Sequence, residues 1–414
     1  MLEKFFTLPA VLRRHRAGLL GAHLDTFVEL LASQGYPRET VRQHCCRIRD
    51  LGQWLERSGL DIVDLDDAVV NKYLERGQRS GRFRNRGDTC VRLFIDHLRD
   101  LGVLTASVSE KETSTLDQVM ARYSEYLKQE RGLVQDTVDN YVPFARRFLA
   151  ERFGDEPLSF NELRVCDVSS FVLRWVRSKR PGRAKLMVTA LRSFFRFLLV
   201  QGEVEADLAA AVPSVADWRH ATVPKHLLRD QVEYLLTVYD RNTAIGRRNF
   251  AILLLLARLG LRAGEVVALD LDDIDWRAGE VMVRGKGLMH DRLPLLHDVG
   301  EALAAYLKHD RPMCETRRLF IRLRAPRRGF LSSAAIDTIV NRALLKAGIE
   351  APMRGAHLLR HSLACGMLRE GATMTEIGQV LRHRSSQTTE IYAKVDFVAL
   401  RSLAKAWPIA GGER

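Results

Sequence analysis

The sequence has no long apolar run. Its longest stretch of consecutive apolar residues is the eight residues from Phe250 to Ala257, whereas a membrane-spanning helix needs about 20. The first twenty residues also lack the smooth apolar core and small-residue cleavage site of a signal peptide. We therefore expect no membrane association, no secretion and a cytoplasmic location.

Cysteines are few, and their spacing fits neither a disulfide framework nor a metal site. None of the six lies in a Cys-x-x-Cys or Cys/His pattern. We expect reduced thiols, no metal and no other cofactor. The six are Cys45, Cys46, Cys90, Cys166, Cys314 and Cys365.

Acidic side chains are outnumbered by basic ones. The chain has 64 Lys and Arg against 51 Asp and Glu, a net charge of +13. Such an excess favours a polyanionic partner, either nucleic acid or an anionic membrane surface. A charge that only keeps the protein soluble is the alternative. The lack of a membrane segment leaves nucleic acid as the favoured partner, and the reactive residues described below favour double-stranded DNA.

The chain is long enough for several domains, since one hydrophobic core rarely serves 414 residues. Apolar residues recur at three- and four-residue spacing, which predicts helices, at 24–32, 39–55, 66–76, 88–101, 116–129, 136–151, 165–178 and 184–201. Ser- and Thr-rich or Pro-containing stretches suggest the boundaries. The predicted organisation is a helical domain 1–105, a linker 106–113, a helical domain 114–205, a linker 206–221, a third domain 222–396 and a tail 397–414.

The two helical domains resemble one unit written twice. Residues 91–102 align with 191–202, sharing Arg, Phe, Leu and Gly at four positions. Chance similarity between amphipathic helices is the alternative. Each copy has a basic loop before its last helix, a natural site for DNA phosphates. The loops contribute Arg82, Arg84 and Arg86 in the first copy and Lys179, Arg180 and Arg183 in the second.

The third domain has a different pattern. Residues 281–283 and 292–295 flank Gly285-Lys286-Gly287 and predict two short strands of a small sheet. Helices are predicted at 250–258, 299–308 and 333–347. The capping-box pattern Thr373-x-x-Glu376 opens another helix. This domain also carries four separated fragments that share one chemistry, with Arg262, Lys286, the pair His357 and Arg360, and the pair His383 and Tyr392.

Together these residues suit phosphoryl transfer without a metal. Two guanidiniums, Arg262 and Arg360, can clamp the non-bridging oxygens of a pentacoordinate phosphate. Tyr392 is the nucleophile, and because a phenol has a pKa of about 10, His357 is the candidate that assists its deprotonation. The remaining two, Lys286 and His383, would protonate the leaving 5′ oxygen and donate to a non-bridging oxygen.

The order of these six residues resembles the tyrosine recombinase (phage integrase) family over 222–395, and 114–205 resembles its core-binding domain. The resemblance implies a mainly α, multi-domain protein. It would have helical N-terminal and core-binding (SAM-like) domains and a mixed α+β catalytic domain with a small antiparallel sheet. Two departures are Arg382, where the family often has Gly, and Ser362, where it often has Thr. His361, next to Arg360, should point away from the phosphate because adjacent helical residues diverge by about 100°.

The resemblance further implies a site-specific DNA recombinase. It would form a covalent 3′-phosphotyrosine and act as a synaptic tetramer, with accessory or sister recombinases as possible partners. Its biological role would be the integration, excision or transposition of a mobile element. A nicking-closing enzyme like the type IB topoisomerases and a catalytically inactive DNA-binding accessory protein are the alternatives. The apolar tail 397–414 would pack on a neighbouring protomer or on its own domain.

A further basic cluster lies between the predicted sheet and the helix at 333–347. No acidic residue occurs between Thr316 and Ile336. Contact with the DNA backbone is one interpretation and a solvated loop is the other. The arginines predicted to contact DNA are Arg322, Arg324, Arg327 and Arg328.

Overall fold

A computed structural model describes residues 1–79, 87–104, 114–154, 156–178, 181–215, 223–285, 290–395 and 401. These residues form seventeen α-helices, several short 3-10 helices and one three-stranded sheet. The described helices include none with the length and apolar character that crossing a membrane requires. The chain divides into two compact units, one of Met1–Ser107 with Thr222–Arg414 and one of Val108–Ala221.

The first hundred residues form a small helical bundle with its own core. Phe27, Leu51 and Phe94 are fully buried in that core, which draws on residues from Leu2 to Leu104. The four helices predicted here are confirmed, and a further short helix precedes them. The helices are α1 (Pro9–Arg16), α2 (Leu24–Ser33), α3 (Arg38–Arg57), α4 (Asp67–Arg79) and α5 (Gly87–Asp100).

The Val108–Ala221 unit is a second helical bundle with an aromatic core. Phe148 packs edge-on against Phe171 and Phe195, at ring-centroid distances of 5.3 and 5.2 Å. Leu208 and Val212 are also buried in this core, so part of the predicted linker 206–221 belongs to the bundle because its apolar side chains pack there. The helices are α6 (Thr115–Gln129), α7 (Gln135–Phe153), α8 (Val165–Ser178) and α9 (Pro181–Val200).

The two bundles share an order of elements. The four helices α2–α5 correspond to α6–α9, and in each set a 3-10 helix separates the second and third helices, at Ile62–Asp64 and Phe160–Glu162. A glycine with positive φ, which is favourable for glycine alone, follows the first, second and fourth of these helices in both bundles. The pairs are Gly35 and Gly132, Gly59 and Gly154, and Gly102 and Gly202.

The last segment combines helices with the sheet. Strands β1 (Ile274–Asp275), β2 (Glu280–Arg284) and β3 (His290–Pro294) pair antiparallel, with Val281 opposite Leu293. The two predicted strands are thus confirmed, with a two-residue strand added. The helices are α10 (Arg229–Thr237), α11 (Ala244–Arg258), α12 (Ala263–Ala268), α13 (His297–His309), α14 (Ala334–Ala347), α15 (His357–Arg369), α16 (Met374–Val380) and α17 (Ser386–Thr389).

Helix α11 forms the centre of this segment. Its residues from Ala251 to Ala257 are all buried, so it packs on every side, as a helix that is apolar all round must. The chain leaves α11 through a turn at Gly260 and enters α12 at Arg262. A second, smaller core holds α15, α16 and the 3-10 helix Glu390–Val395 together, and Tyr392 lies inside it. These elements bring together residues that are far apart in sequence.

Candidate active site

Arg360 is a buried cation on α15. It is 4% exposed, and its guanidinium donates hydrogen bonds to the carbonyl oxygens of Gly260 and Leu381. Burial, followed by the charges of Arg262 and Arg382, lowers the pKa of Arg360 to about 10. The side chain therefore stays charged at neutral pH, held in one orientation by two neutral acceptors.

Gly260 allows this close approach. Its φ is +58°, and a Cβ there would lie 2.8 Å from Leu381 Cδ2 and 3.0 Å from Leu363 Cδ2. A side chain would be strained by the backbone conformation and would press against both leucines. Glycine thus lets the carbonyl that receives Arg360 lie directly against α15.

Arg262 is positioned by a carboxylate one helical turn further on. Its backbone N–H donates to Glu265 Oε2 at 2.9 Å and its Nη1 to Glu265 Oε1 at 2.6 Å. The Arg262 side chain is 38% exposed, whereas that of Glu265 is 6% exposed. Arg262 is thus fixed at one end and accessible to a ligand.

The ionised state of Glu265 is favoured despite its burial. Burial alone would raise the pKa of this carboxyl, but the Arg262 backbone N–H and the charges of Arg382 and Arg262 outweigh that effect and lower it. The carboxylate therefore lies between two guanidiniums. In the described residues around Arg360, three cations thus meet one anion, an arrangement suited to an anionic phosphodiester.

Tyr392 is buried and hydrogen-bonded to a histidine. The residue is 1% exposed, and its hydroxyl lies 2.8 Å from His361 Nδ1. Burial raises the pKa of Tyr392 to about 12, although the charges of Arg360 and Arg262 act in the opposite direction. The tyrosine is therefore held in its protonated form in this state.

The prediction that His361 points away from the site is wrong. Its ring packs edge-on against Tyr392 with the centroids 5.6 Å apart. Adjacent helical residues do diverge, but Tyr392 packs on the neighbouring face of α15, where His361 meets it. Burial, followed by the charges of His357 and Arg360, lowers the pKa of His361 to about 4, so the imidazole is neutral at pH 7.

The other two histidines lie on either side of this pair. His383 donates to or accepts from Thr389 Oγ1 at 2.8 Å, and its ring is parallel to that of Tyr392 at 6.5 Å. Burial, then Arg360, lowers its pKa to about 4. His357 is more exposed, and its ring lies 6.4 Å from that of His361. Burial and Arg360 lower the pKa of His357 as well.

Several residues predicted from sequence lie outside the described part of the chain. Among the six predicted catalytic positions this applies to one, Lys286; the structure brings the other five into one region. Arg183, in the second basic loop, is described: it is exposed, and its guanidinium is 6.0 Å from the Phe144 ring centroid. The predicted DNA-contact residues outside the described ranges are Arg82, Arg84, Arg86, Lys179 and Arg180.

The arginines after the sheet lie on a loop closed by a bridge between Ile321 and Gly329. Three of them, Arg324, Arg327 and Arg328, are exposed, and Arg322 is half-buried. The backbone N–H of Arg327 donates to the Gln34 carbonyl at 2.9 Å. This contact joins the loop to the turn after α2, an interaction that the sequence pattern did not indicate.

Sequence reasoning missed three residues of the site. Glu265 had a signal, since Arg262-x-x-Glu265 is a capping pair in which the acid accepts the backbone N–H at the start of α12. His361 had none, because its contact with Tyr392 depends on tertiary packing, and for Arg382 the sequence showed a departure from the family pattern but not its contact with Glu265. Arg382 is the residue that departs from the family pattern, and its side chain is 6% exposed.

The chain is similar to known recombinases along its whole length. The model of the Phage integrase family matches residues 225–398, and that of the phage integrase N-terminal SAM-like domain matches residues 120–202. A putative integrase/recombinase of Sinorhizobium fredii, y4rA, is 41% identical over 411 residues, 98% of this chain and 99% of that protein. The tyrosine recombinase XerD of Mycobacterium tuberculosis is 33% identical over 309 residues, 70% of this chain and 96% of that protein.

Solved structures share the fold. XerH site-specific recombinase in a post-cleavage complex with its palindromic substrate is similar with a TM-score of 0.56 at 18% identity, over 74% of this chain and 92% of that one. A lambda integrase fragment bound to a core site has a TM-score of 0.51 at 18% identity, over 72% of this chain and 99% of that one. The fold is that of the multi-domain tyrosine recombinases. The chain belongs to the tyrosine recombinase (phage integrase) family and is a site-specific recombinase.

Proposed function

We propose that the protein cleaves and rejoins double-stranded DNA through a covalent bond between Tyr392 and a 3′ phosphate. The observation that carries this proposal is the buried hydroxyl of Tyr392, hydrogen-bonded to a neutral histidine within the electrostatic reach of two arginines. A phenol in contact with a base and near paired guanidiniums has the groups that phosphoryl transfer needs.

Each group has a defined step. The Tyr392 oxygen attacks phosphorus, the bond to the 5′ oxygen breaks, and the phosphotyrosine conserves the phosphodiester energy for religation. The phenol proton passes to a histidine, for which the sequence favours His357 and the 2.8 Å contact favours His361. Arg262 and Arg360 balance the charge on the non-bridging oxygens. Lys286 and His383 keep the roles that the sequence suggests, proton donor to the 5′ oxygen and donor to a non-bridging oxygen.

The described conformation represents a resting state for this chemistry. Tyr392 is 1% exposed, so a phosphate in solvent cannot reach its hydroxyl. The 3-10 helix Glu390–Val395 would therefore shift when DNA binds, so that the hydroxyl becomes accessible to the phosphate while it keeps its contact with His361. Unbound protein would therefore keep its nucleophile protonated and inaccessible.

We further propose that the enzyme acts in a synaptic tetramer and serves integration, excision or transposition of a mobile element. Recombination joins two duplexes and needs four active sites. The names and substrates of the similar proteins are consistent with this role, since one solved relative is a transposon integrase in complex with circular intermediate DNA. A sister recombinase or an accessory protein would be an additional partner.

We propose that residues 1–105 are a second core-binding-like module that lengthens the contact with DNA. The shared order of elements and the matched glycines of the two bundles support this interpretation. The competing interpretation is a module that assembles the synapse through protein contacts.

A nicked duplex tests the central proposal. Cleavage beside a nick releases a short strand, which prevents religation and traps the adduct. We expect an SDS-stable adduct in the presence of EDTA, and none with Tyr392→Phe, which removes one oxygen and no charge and should bind DNA normally. An adduct in that variant would contradict the nucleophile assignment. Exchange of strands between two sites, rather than relaxation of a supercoil alone, distinguishes a recombinase from a topoisomerase-like enzyme.

A further inference from the structure

We propose that Arg382 is a positioning residue for DNA cleavage, which orients the phosphate-binding Arg262 through their shared carboxylate, Glu265. The inference rests on the proposed function, because it assigns a residue to the cleavage reaction. Arg382 lies directly before His383, where the family often has glycine. The structure shows what the larger side chain does in this chain.

The contact between Arg382 and Glu265 is a buried ion pair. Arg382 Nη2 lies 2.7 Å from Glu265 Oε2, and each side chain is 6% exposed. The other oxygen of the same carboxylate, Oε1, accepts the hydrogen bond from Arg262 Nη1. One carboxylate therefore joins a catalytic arginine to a residue that is more than a hundred positions later in the sequence.

The backbone of Arg382 has an unfavourable conformation for a residue with a side chain. Its φ is +56°, and it is the one residue other than glycine with positive φ in the described part of the chain. A left-handed conformation is strained in a residue that has a Cβ and is unstrained in glycine. Strain of this kind persists where the surrounding contacts compensate for it, and it is concentrated at functional sites.

The position of Arg382 also connects the site to the hairpin that carries Lys286. Its Nε lies 4.0 Å from Asp291 Oδ2 on β3 and has no hydrogen-bond partner among the residues that the structure describes. Its Nη1 is within 3.5 Å of the carbonyl oxygens of Leu259 and Val380. The guanidinium thus lies beside the turn before Arg262, the end of α16 and strand β3 of the hairpin.

Removal of Arg382 would leave Glu265 with one counter-ion in place of two. A buried carboxylate that loses a charged partner is destabilised unless it moves or takes up water. Its movement would release the Arg262 guanidinium. Of the three side chains, Arg262, Glu265 and Arg382, that of Arg262 is the most exposed. A shift of about 1 Å in a catalytic group can cost roughly 100-fold in rate. The loss would fall on the cleavage step and not on DNA binding.

Three full-length variants test the inference in single-turnover cleavage of the nicked duplex at saturating protein. Arg382→Gly introduces the residue that the family often has and relieves the strained φ. We expect it to cleave about 10- to 100-fold more slowly with a binding constant near that of the wild type. Arg382→Lys keeps a cation near Glu265 and should retain most of the wild-type rate.

The third variant shows whether Arg382 acts through the carboxylate. Glu265→Gln should slow cleavage, and adding Arg382→Gly to it should cause little further loss, because residues that act as one unit are not additive. The charge-matched control is Arg277→Gln. Arg277 is exposed in the turn between β1 and β2, at the opposite end of β2 from the turn that joins β2 to β3. It should cleave at the wild-type rate.

Each result has one interpretation. A wild-type rate in Arg382→Gly, a loss confined to DNA binding, an equal loss in Arg382→Lys, or additive losses with Glu265→Gln would each overturn the inference. If Arg382→Gly unfolds, the comparison of Arg382→Lys with Arg382→Met at matched thermal stability replaces it, and equal rates in those two variants would overturn the inference. A wild-type chain that forms no adduct would contradict the proposed function itself.

Discussion

His361 Nδ1 lies 2.8 Å from the hydroxyl oxygen of Tyr392. In the neutral tautomer that carries its proton on Nε2, His361 Nδ1 accepts a hydrogen bond from the phenol hydroxyl. No other hydrogen bond of the Tyr392 hydroxyl is recorded among the described residues. Among the described histidines, His361 is thus the one that hydrogen-bonds to the proposed nucleophile, and this contact leads to the first prediction.

Replacement of His361 should slow cleavage and leave DNA binding intact. His361→Phe keeps the ring volume but removes the acceptor, so we expect a loss of about 100-fold or more, typical of a general base. The measurement is the single-turnover rate of adduct formation. Its comparison is His357→Phe, which tests the histidine favoured by the sequence. A larger loss in His357→Phe than in His361→Phe would assign the base to His357.

Replacement of Arg360 should affect the chemical step strongly. Arg360→Ala removes one donor to the charged transition state, and we expect a loss of about 3 kcal/mol, or roughly 100- to 1,000-fold in rate. Arg360→Lys should recover little, because an ammonium cannot reproduce the guanidinium's two fixed hydrogen bonds to Gly260 and Leu381. Cleavage by either variant at the wild-type rate would refute the proposed clamp on the phosphate.

Lys286→Ala should impair protonation of the leaving 5′ oxygen. A 5′-bridging phosphorothiolate substrate has a thiolate leaving group, which needs no proton, so we expect it to restore much of the lost rate. The measurement is the ratio of the cleavage rates on the two substrates, determined for the variant and for the wild type. Equal impairment on both substrates would show that Lys286 is not the general acid.

The pH dependence of cleavage should lack an inflection near 6.5. The pKa values of His361 and His383 are lowered to about 4, so both rings are neutral from pH 6 to 9. We expect the second-order rate of adduct formation to be flat over that range and to fall as the pH approaches 4, when His361 takes up a proton. An inflection at pH 6.5 in the free enzyme would contradict this assignment.

The free energy of unfolding should also depend on the protonation of His361 and His383. An unfolded histidine binds a proton below about pH 6.5, whereas these folded ones do so only near pH 4. The unfolded state therefore binds more protons between those values, and the free energy of unfolding should decrease as the pH falls from 6.5 to 4. His361→Gln should make this decrease smaller, and thermal unfolding at several pH values is the measurement.

The basic loop of the first bundle should contribute to the salt dependence of DNA binding. If its three arginines contact phosphates, replacing Arg82, Arg84 and Arg86 by alanine should reduce the slope of log K against log salt by about 2 to 3. The footprint should become shorter as well. The control is Arg13→Ala with Arg14→Ala on α1 of the same bundle. An unchanged slope with lost tetramer formation would favour the assembly role for residues 1–105.

The sequence determined most of the long helices and the order of the reactive groups. Helices α2 to α9 follow from apolar spacing, because an amphipathic helix must bury one face whatever its neighbours are. Arg262, Arg360 and Tyr392 could be predicted because the order of the six reactive residues along the chain resembles that of the family, although each fragment alone indicates little. The charge excess that points to DNA is likewise a property of composition.

Only the tertiary structure decided how those groups meet. The contact of His361 with Tyr392 and that of Arg382 with Glu265 join residues 31 and 117 positions apart, and no local pattern encodes such distances. The rule that adjacent helical residues diverge placed His361 away from Arg360, but it could not say which element packs on the other face. Packing of α15 against the 3-10 helix Glu390–Val395 made that face part of the site, because burying Tyr392 requires a hydrogen-bond partner for its hydroxyl.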